Sequence, residues 1–303
     1  MSSPQIKCTM LNKLTFAGIA ILLLFSCQKS SQEEVAPGQE QAVRMATLTI
    51  EAQKSEATKA LSQEGNSMIA YWRNTESVQV YKPSGDRAGA LNVLPGTGEK
   101  PASATLSGTL DITGLNEGDN LSLRIPRDEW DYSGQAGILT GTGSIEEKYD
   151  YATATVEIAT IGENSITAAS EAYFTNEQSI YRFGFIADAA TLNVKLFVLG
   201  AAWQRLVRKI QDGVSDYGAL KIVPDSPTTD LIYTSVRNEA VDPDSSGDTY
   251  YFTVVGSDGS AYLGSKAVPA SVLDRHGRFI SARTIPATKV ILSRNTSESA
   301  VVF

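Results

Sequence analysis

The stretch ATLTIEA, residues 46–52, decides how the rest of the chain is read. Ala46, Leu48, Ile50 and Ala52 alternate with Thr47, Thr49 and Glu51. Successive side chains on a strand point to opposite faces, so this pattern predicts a strand with one buried and one solvated face. The same reading extends downstream. SVQVY (77–81), ATLSGTL (104–110), LSLRI (121–125) and ATATVEI (152–158) each keep their apolar residues on one parity. Turn clusters such as LPGTGEKP and LNEGDN separate them. TIGENSITAAS (160–170) reads as a boundary, after which IYRFGF, TLNVKLFVL, ALKIV, LIYTSV and YYFTVV form a second series. Many short strands with turns between them predict an all-β protein built of β-sandwiches.

Two segments do not fit the strand pattern. QKSEATKALSQEGNS (53–67) is polar and without period, and reads as an exposed loop. In AAWQRLVRKIQ, Trp203, Leu206, Val207 and Ile210 recur at helical spacing, with Arg205, Arg208 and Lys209 on the other side. This predicts a short amphipathic helix, with a strand bent by a bulge as the alternative.

Upstream of the first strand the chain changes character. Leu14 to Phe25 is an apolar run preceded by Lys7 and Lys13. It has the length of a secretory h-region and falls short of the about 20 apolar residues of a transmembrane helix. The run ends Leu24-Phe25-Ser26-Cys27, which resembles a bacterial lipobox. Cleavage between Ser26 and Cys27 and acylation of Cys27 are the expectation, since several acyl chains anchor stably where one does not. Gln28 at the second mature position then implies the outer membrane, and Glu33 and Glu34 agree with export to the cell surface. The polar segment that follows reads as a tether.

Composition narrows the function classes. The chain has 26 Lys+Arg against 34 Asp+Glu, a net charge of −8, and no electrostatic footprint for nucleic acid. Its two cysteines, Cys8 and Cys27, lie in the leader and at the acylation site, so no intramolecular disulfide is expected in the mature chain. His276 is the only histidine, which argues against a Ser-His-Asp site and, with one acylated cysteine, against zinc. DPDSSGD (242–248) looks like a calcium loop, but its twelfth position is Thr253 rather than Glu. Glu146 and Glu147 are neighbours, and on a strand they face opposite ways. No catalytic, cofactor or metal site is expected.

Seven segments carry a family resemblance. IAYWRNTESVQVY (69–81), ATLSGTL (104–110), LSLRIPRDEWDYSGQAGIL (121–139) and KYDYATATVEI (148–158) resemble the first domain of fimbrillin-like proteins. AYFTNEQSIYRFGF (172–185), YYFTVVGSDGSAYLG (250–264) and LDRHGRFISARTI (273–285) resemble the second. The resemblance covers roughly residues 45–285, and Thr75-Glu76 stands where the family often has Gly-Asp. It implies two transthyretin-like β-sandwiches in tandem: a first over 45–165 and a second over 166–285, after a leader (1–26) and tether (27–44) and before a tail (286–303).

The same resemblance implies a structural or accessory subunit of a type V pilus, assembled by strand exchange. A trypsin-like surface protease cuts behind the first strand, and a strand of a neighbouring subunit takes its place. Here the removable strand is ATLTIEA. Lys59-Ala60 falls at the position of the maturation site, Lys54 is a second candidate in the same segment, and a cut at Arg44 would retain the strand. Lys59 stands where the best-known members have Arg. The tail PATKVILSRNTSESAVVF offers Val290 and Leu292 as a donor strand. Its shortness also fits an anchor that keeps its lipid. The expected partners are other pilus subunits, the outer membrane through the lipid anchor, and the protease. The competing reading is a surface lipoprotein that binds glycan through Trp72, Trp130 or Trp203.

Overall fold

The computed structural model describes residues 42–54, 61–64, 67–125, 129–240, 247–273, 277 and 279–290. The protein is all-β. The first half contains β1 (Met45–Lys54), β2 (Leu61–Glu64), β3 (Ser67–Ala70), β4 (Ser77–Tyr81), β5 (Arg87–Pro95), β6 (Ser103–Asp111), β7 (Asn120–Ile125), β8 (Trp130–Asp131), β9 (Ala152–Ile161), β10 (Ser165–Ala168) and β11 (Ala172–Asn176). Eight of these form one sheet whose pairings close on themselves. From β1 the ring runs through β6, β5, β4, β7 and β9, and returns through β10 and β11 to β1. Closure removes the exposed edges that an open sheet would present.

The parity read from the sequence explains the core of this ring. Leu48, Val78, Val80, Leu91, Leu106, Leu110, Leu121, Leu123, Val156 and Ile158 all point inward and are buried. Trp72, in the turn after β3, fills one end of it and meets Phe174 edge-on at 5.3 Å.

The second half contains β12 (Ser179–Ala187), β13 (Ala190–Thr191), β14 (Val194–Ala201), β15 (Gln204–Gln211), β16 (Val214–Tyr217), β17 (Leu220–Ile222), β18 (Ile232–Val236), β19 (Asn238–Ala240), β20 (Gly247–Gly256), β21 (Ala261–Pro269) and β22 (Phe279–Lys289). Its main sheet is ordered β13-β12-β22-β21-β20-β14-β17, with β18 also paired to β12. Its core is aromatic. Phe183, Phe185, Phe197 and Phe252 pack with centroids 5.0–6.4 Å apart, and Tyr181 and Tyr250 extend the cluster.

The two halves are stitched together by the connection between β7 and β9. β8 pairs with β15, and Tyr132 and Tyr151 are buried in the second core. Gln135 is 1% exposed and lies between β17 and β18. Its Nε2 donates to the carbonyls of Tyr132 and Ser235, its Oε1 accepts from the Ser235 amide, and its carbonyl accepts from Val223. Two residues on, the Gly137 carbonyl accepts from Tyr233. Gly137 has φ of +80°, and a Cβ there would stand 2.4 Å from Ile232 Cγ2, so only glycine lets the chain pass.

Four expectations change. The stretch around 160–170 is the β9–β10 hairpin inside the first sheet, and Phe174 still belongs to the first core; the sheets change over between Asn176 and Ser179. Residues 204–211 form β15, the bulged strand that stood as the alternative to a helix. β15 pairs with β19 up to Leu206 and with β16 from Val207, with a register shift between Val207 and Lys209. The adjacent Leu206 and Val207 are both buried in the second core beside this shift, and so imitate helical spacing. Segment 53–67 contains strand: Gln53 and Lys54 end β1, and β2 and β3 form a hairpin. Glu146 and Glu147 sit on a short π-helical turn (Ile145–Tyr149) rather than a strand.

Candidate functional site

β1 alternates without a break. Ala46, Leu48, Ile50, Ala52 and Lys54 face inward and are buried, while Met45, Thr47, Thr49, Glu51 and Gln53 face out. On one side it runs antiparallel to β6, in register from Met45 opposite Asp111 to Gln53 opposite Ser103. On the other it runs parallel to β10 at Thr47–Leu48 and parallel to β11 at Ala52–Lys54. Its outer face adds polar cross-strand contacts. Thr49 Oγ1 and Ser107 Oγ are 2.9 Å apart, Thr105 Oγ1 donates to Glu51 at 2.7 Å, and Gln53 Nε2 donates to Glu171 at 2.9 Å. If β1 left, β6 would keep β5, and β10 and β11 would keep β9. The ring would open along one slot, with an unpaired edge on each side.

The last residue of β1 is set differently from the others. The Lys54 side chain is 0% exposed, and that of its partner Glu76 3%. Lys54 Nζ donates to Glu76 Oε2 at 2.9 Å, to Glu76 Oε1 at 3.0 Å and to the Tyr71 carbonyl at 2.7 Å. It also lies 4.2 Å from the Trp72 ring centroid, a cation–π contact. Glu76 accepts in addition from the Arg73 amide at 3.2 Å. Arg73 in turn pairs with Glu146. At the other end of β1, the Arg44 carbonyl accepts from Ile112, and the Arg44 amide donates to Thr113 Oγ1. Nearby Asp111 is held at a pKa of about 2 by its bond to Lys82 Nζ at 2.8 Å and by the Thr113 hydroxyl and amide.

The sequence-derived residues separate as follows. Ala46, Leu48, Ile50 and Ala52 come together on the inner face of one strand, beneath β6 and β11. Arg44 is exposed just before β1. Lys54 is not a solvated loop lysine but the buried, ion-paired end of the strand. Val290 is also corrected. It is not in a free tail, since its amide donates to the Ala261 carbonyl and continues the edge of β22, which itself runs past residue 286 to Lys289. Ser26, Cys27, Lys59, Ala60, His276 and Leu292 lie outside the described residues. Of the tryptophans, Trp72 is core, Trp130 is half-buried under the Arg237 guanidinium, and Trp203 is 58% exposed. The Lys54–Glu76 pair was missed by the sequence reading. Its signal was the parity of Lys54, in phase with Ala52 and Ile50.

No protein-family model and no curated protein matches the sequence. Solved structures similar to the chain are cell adhesion and fimbrial proteins. One is a candidate cell adhesion protein from Bacteroides uniformis, at 13% identity, 71% coverage of this chain and 83% of that one, and a TM-score of 0.36. Another candidate cell adhesion protein, from Bacteroides ovatus, has 11% identity, 83% and 97% coverage, and a TM-score of 0.36. A fimbrial assembly protein from Parabacteroides distasonis has 12% identity, 79% and 90% coverage, and a TM-score of 0.32. At such TM-scores the likeness by itself carries no argument about this chain.

What the slot can do follows from its chemistry. It offers two strand edges for main-chain pairing, one antiparallel and one parallel. It offers four shallow apolar positions and one buried carboxylate. Among the described residues no group of His, Cys, Asp and Glu is arranged to hold a metal ion.

Proposed function

We propose that the chain is a structural or accessory subunit of a type V, fimbrillin-type pilus that supports adhesion. It is exported as a lipoprotein acylated at Cys27 and carried to the outer membrane, and its two halves are transthyretin-like sandwiches. One observation supports this reading above the others: the first strand completes a ring whose remaining strands all keep a partner without it. While the chain is intact, β1 is held at high effective concentration and excludes a strand from another molecule. Cutting behind it, at Lys59-Ala60, makes it a separate peptide that can leave. A strand from a neighbouring subunit then fills the slot, with main-chain pairing on both sides. β22 is integrated through Lys289 and the Val290 amide is bonded to Ala261, so a donor strand supplied by this chain begins beyond Val290 and includes Leu292.

The test is limited trypsin treatment of the full chain. Cleavage should convert monomers to ladders of oligomers, alone or with partner subunits. Lys59→Gln should block the conversion and Arg44→Gln should not. Monomeric behaviour after cleavage in the presence of partners, or normal polymerisation of Lys59→Gln, would reject strand exchange at this site. Cys27→Ser should abolish acylation and leave the precursor at the inner membrane. The glycan-binding alternative now rests on Trp203 alone among the three tryptophans, and a glycan array with Trp203→Ala separates it.

A further inference from the structure

The apolar pattern of the slot does not define its own register. Read along the inner face, β1 presents Ala46, Leu48, Ile50, Ala52. A one-residue slip would turn Thr49 and Glu51 inward and is excluded by polarity. A two-residue slip keeps parity and is not excluded by polarity: toward the end of the strand it puts Ala in the Leu48 place, Leu in the Ile50 place, Ile in the Ala52 place and Ala in the Lys54 place. Something else must fix where the strand stops.

We infer that Glu76 does so, and that the slot selects an extended segment carrying a lysine two residues beyond its last small inward residue. This rests on the strand-exchange reading and specifies its partner. The Lys54 ammonium is wholly buried and bonded to both Glu76 oxygens. Apart from Lys54, Glu76 has the Arg73 amide in hydrogen-bond contact and the Arg73 guanidinium, itself paired with Glu146, at longer range. A strand seated with an apolar residue at that position, or slipped by two, would bury the carboxylate without its cation. Leaving one partner of a buried ion pair alone is among the larger single penalties in a protein, enough to weaken binding about 100-fold or more. The occupant is therefore a strand of the form small–x–apolar–x–apolar–x–small–x–Lys, with the lysine over Trp72 and on Glu76. The chain's own tail does not have this form. With Val290 and Leu292 in the places of Leu48 and Ile50, Arg294 falls at Ala52 and Thr296 at Lys54. The matching donor is a segment that does carry the lysine in that place.

The experiment uses the full chain with a recognition sequence for a highly specific protease inserted after Thr58. After cleavage it is titrated with labelled peptides: residues 42–54, the same peptide with Lys54→Met, and residues 286–298. The unaltered 42–54 peptide should exchange into the slot. The Lys54→Met peptide and the tail peptide should bind about 100-fold more weakly or worse. In the Glu76→Gln protein the difference between the first two should shrink to less than about 10-fold. Equal binding of the Lys54→Met or the tail peptide to the Glu76 protein overturns the inference while leaving exchange intact. Failure of the 42–54 peptide itself to enter overturns the exchange reading, and the choice of partner with it. The uncut chain gives an independent reading of the pair. Lys54→Met should lower the thermal midpoint, and adding Glu76→Gln should restore most of the loss; additive losses would show that Glu76 does not read Lys54.

Discussion

The first and second halves solve the same problem with different materials. In each, a terminal strand is inserted between one parallel and one antiparallel neighbour: β1 between β10/β11 and β6, β22 between β12 and β21. The first ring is filled mainly by aliphatic side chains and is closed by its own first strand. The second half adds a cluster of aromatics to its aliphatic core, and the gap between its β17 and β18 is crossed by a segment lent by the first half. On the proposed reading, β1, with its small inward face (Ala46, Leu48, Ile50, Ala52), is the component the ring gives up. The second half is built around a buried glutamine and an aromatic cluster.

Breaking the comparison begins with the aromatic core. Phe183→Ala should lower unfolding free energy by about 3–5 kcal/mol, measured by urea titration, whether or not β1 has been cut. Leu48→Ala should cost about 3 kcal/mol in the intact chain and, after cleavage, should speed loss of the β1 peptide. If cleavage alters the Phe183→Ala effect as much as the Leu48→Ala effect, the halves are not separable in the way described. Gln135→Leu removes the partner of the buried Ser235 amide and should cost about 2–3 kcal/mol. Hydrogen exchange should then rise at Val223 and Ser235 and not in β1.

The smallest effect concerns pH. The Asp111 carboxyl titrates at about 2 in the folded protein against 3.8 ordinarily, so its ion pair with Lys82 stabilises fully above pH 3.8 and is lost as pH falls from there toward 2. Its side chain is 31% exposed, so solvent screening keeps the contribution to no more than about 1 kcal/mol. Asp111→Asn should flatten the acid limb of stability over that range without affecting the second half.

Strands such as β1, β4, β6, β7 and β9 were legible because alternation is a local property: each side chain's face is fixed by its own position along the chain. The same property, carried two residues further, would have placed Lys54 inside. For β15 the sequence left a helix and a bulged strand both open, because a bulge depends on the strand's partners, and partners are not written locally. The ends of the halves were misplaced for a related reason. The turn chemistry of GENS at 162–165 is the same whether a chain leaves a sheet or returns to it as a hairpin.

By itself, then, the sequence determined an all-β protein and the inner face of its first strand, since polarity and parity are carried residue by residue. Only the tertiary structure decided that β1 closes a ring between β6 and β10/β11, that Gln135 and Gly137 bridge the second sheet, and that Glu76 meets Lys54. Those pairings join residues far apart in the chain, and the free energy that selects them comes from burying both partners together, which neither segment encodes alone.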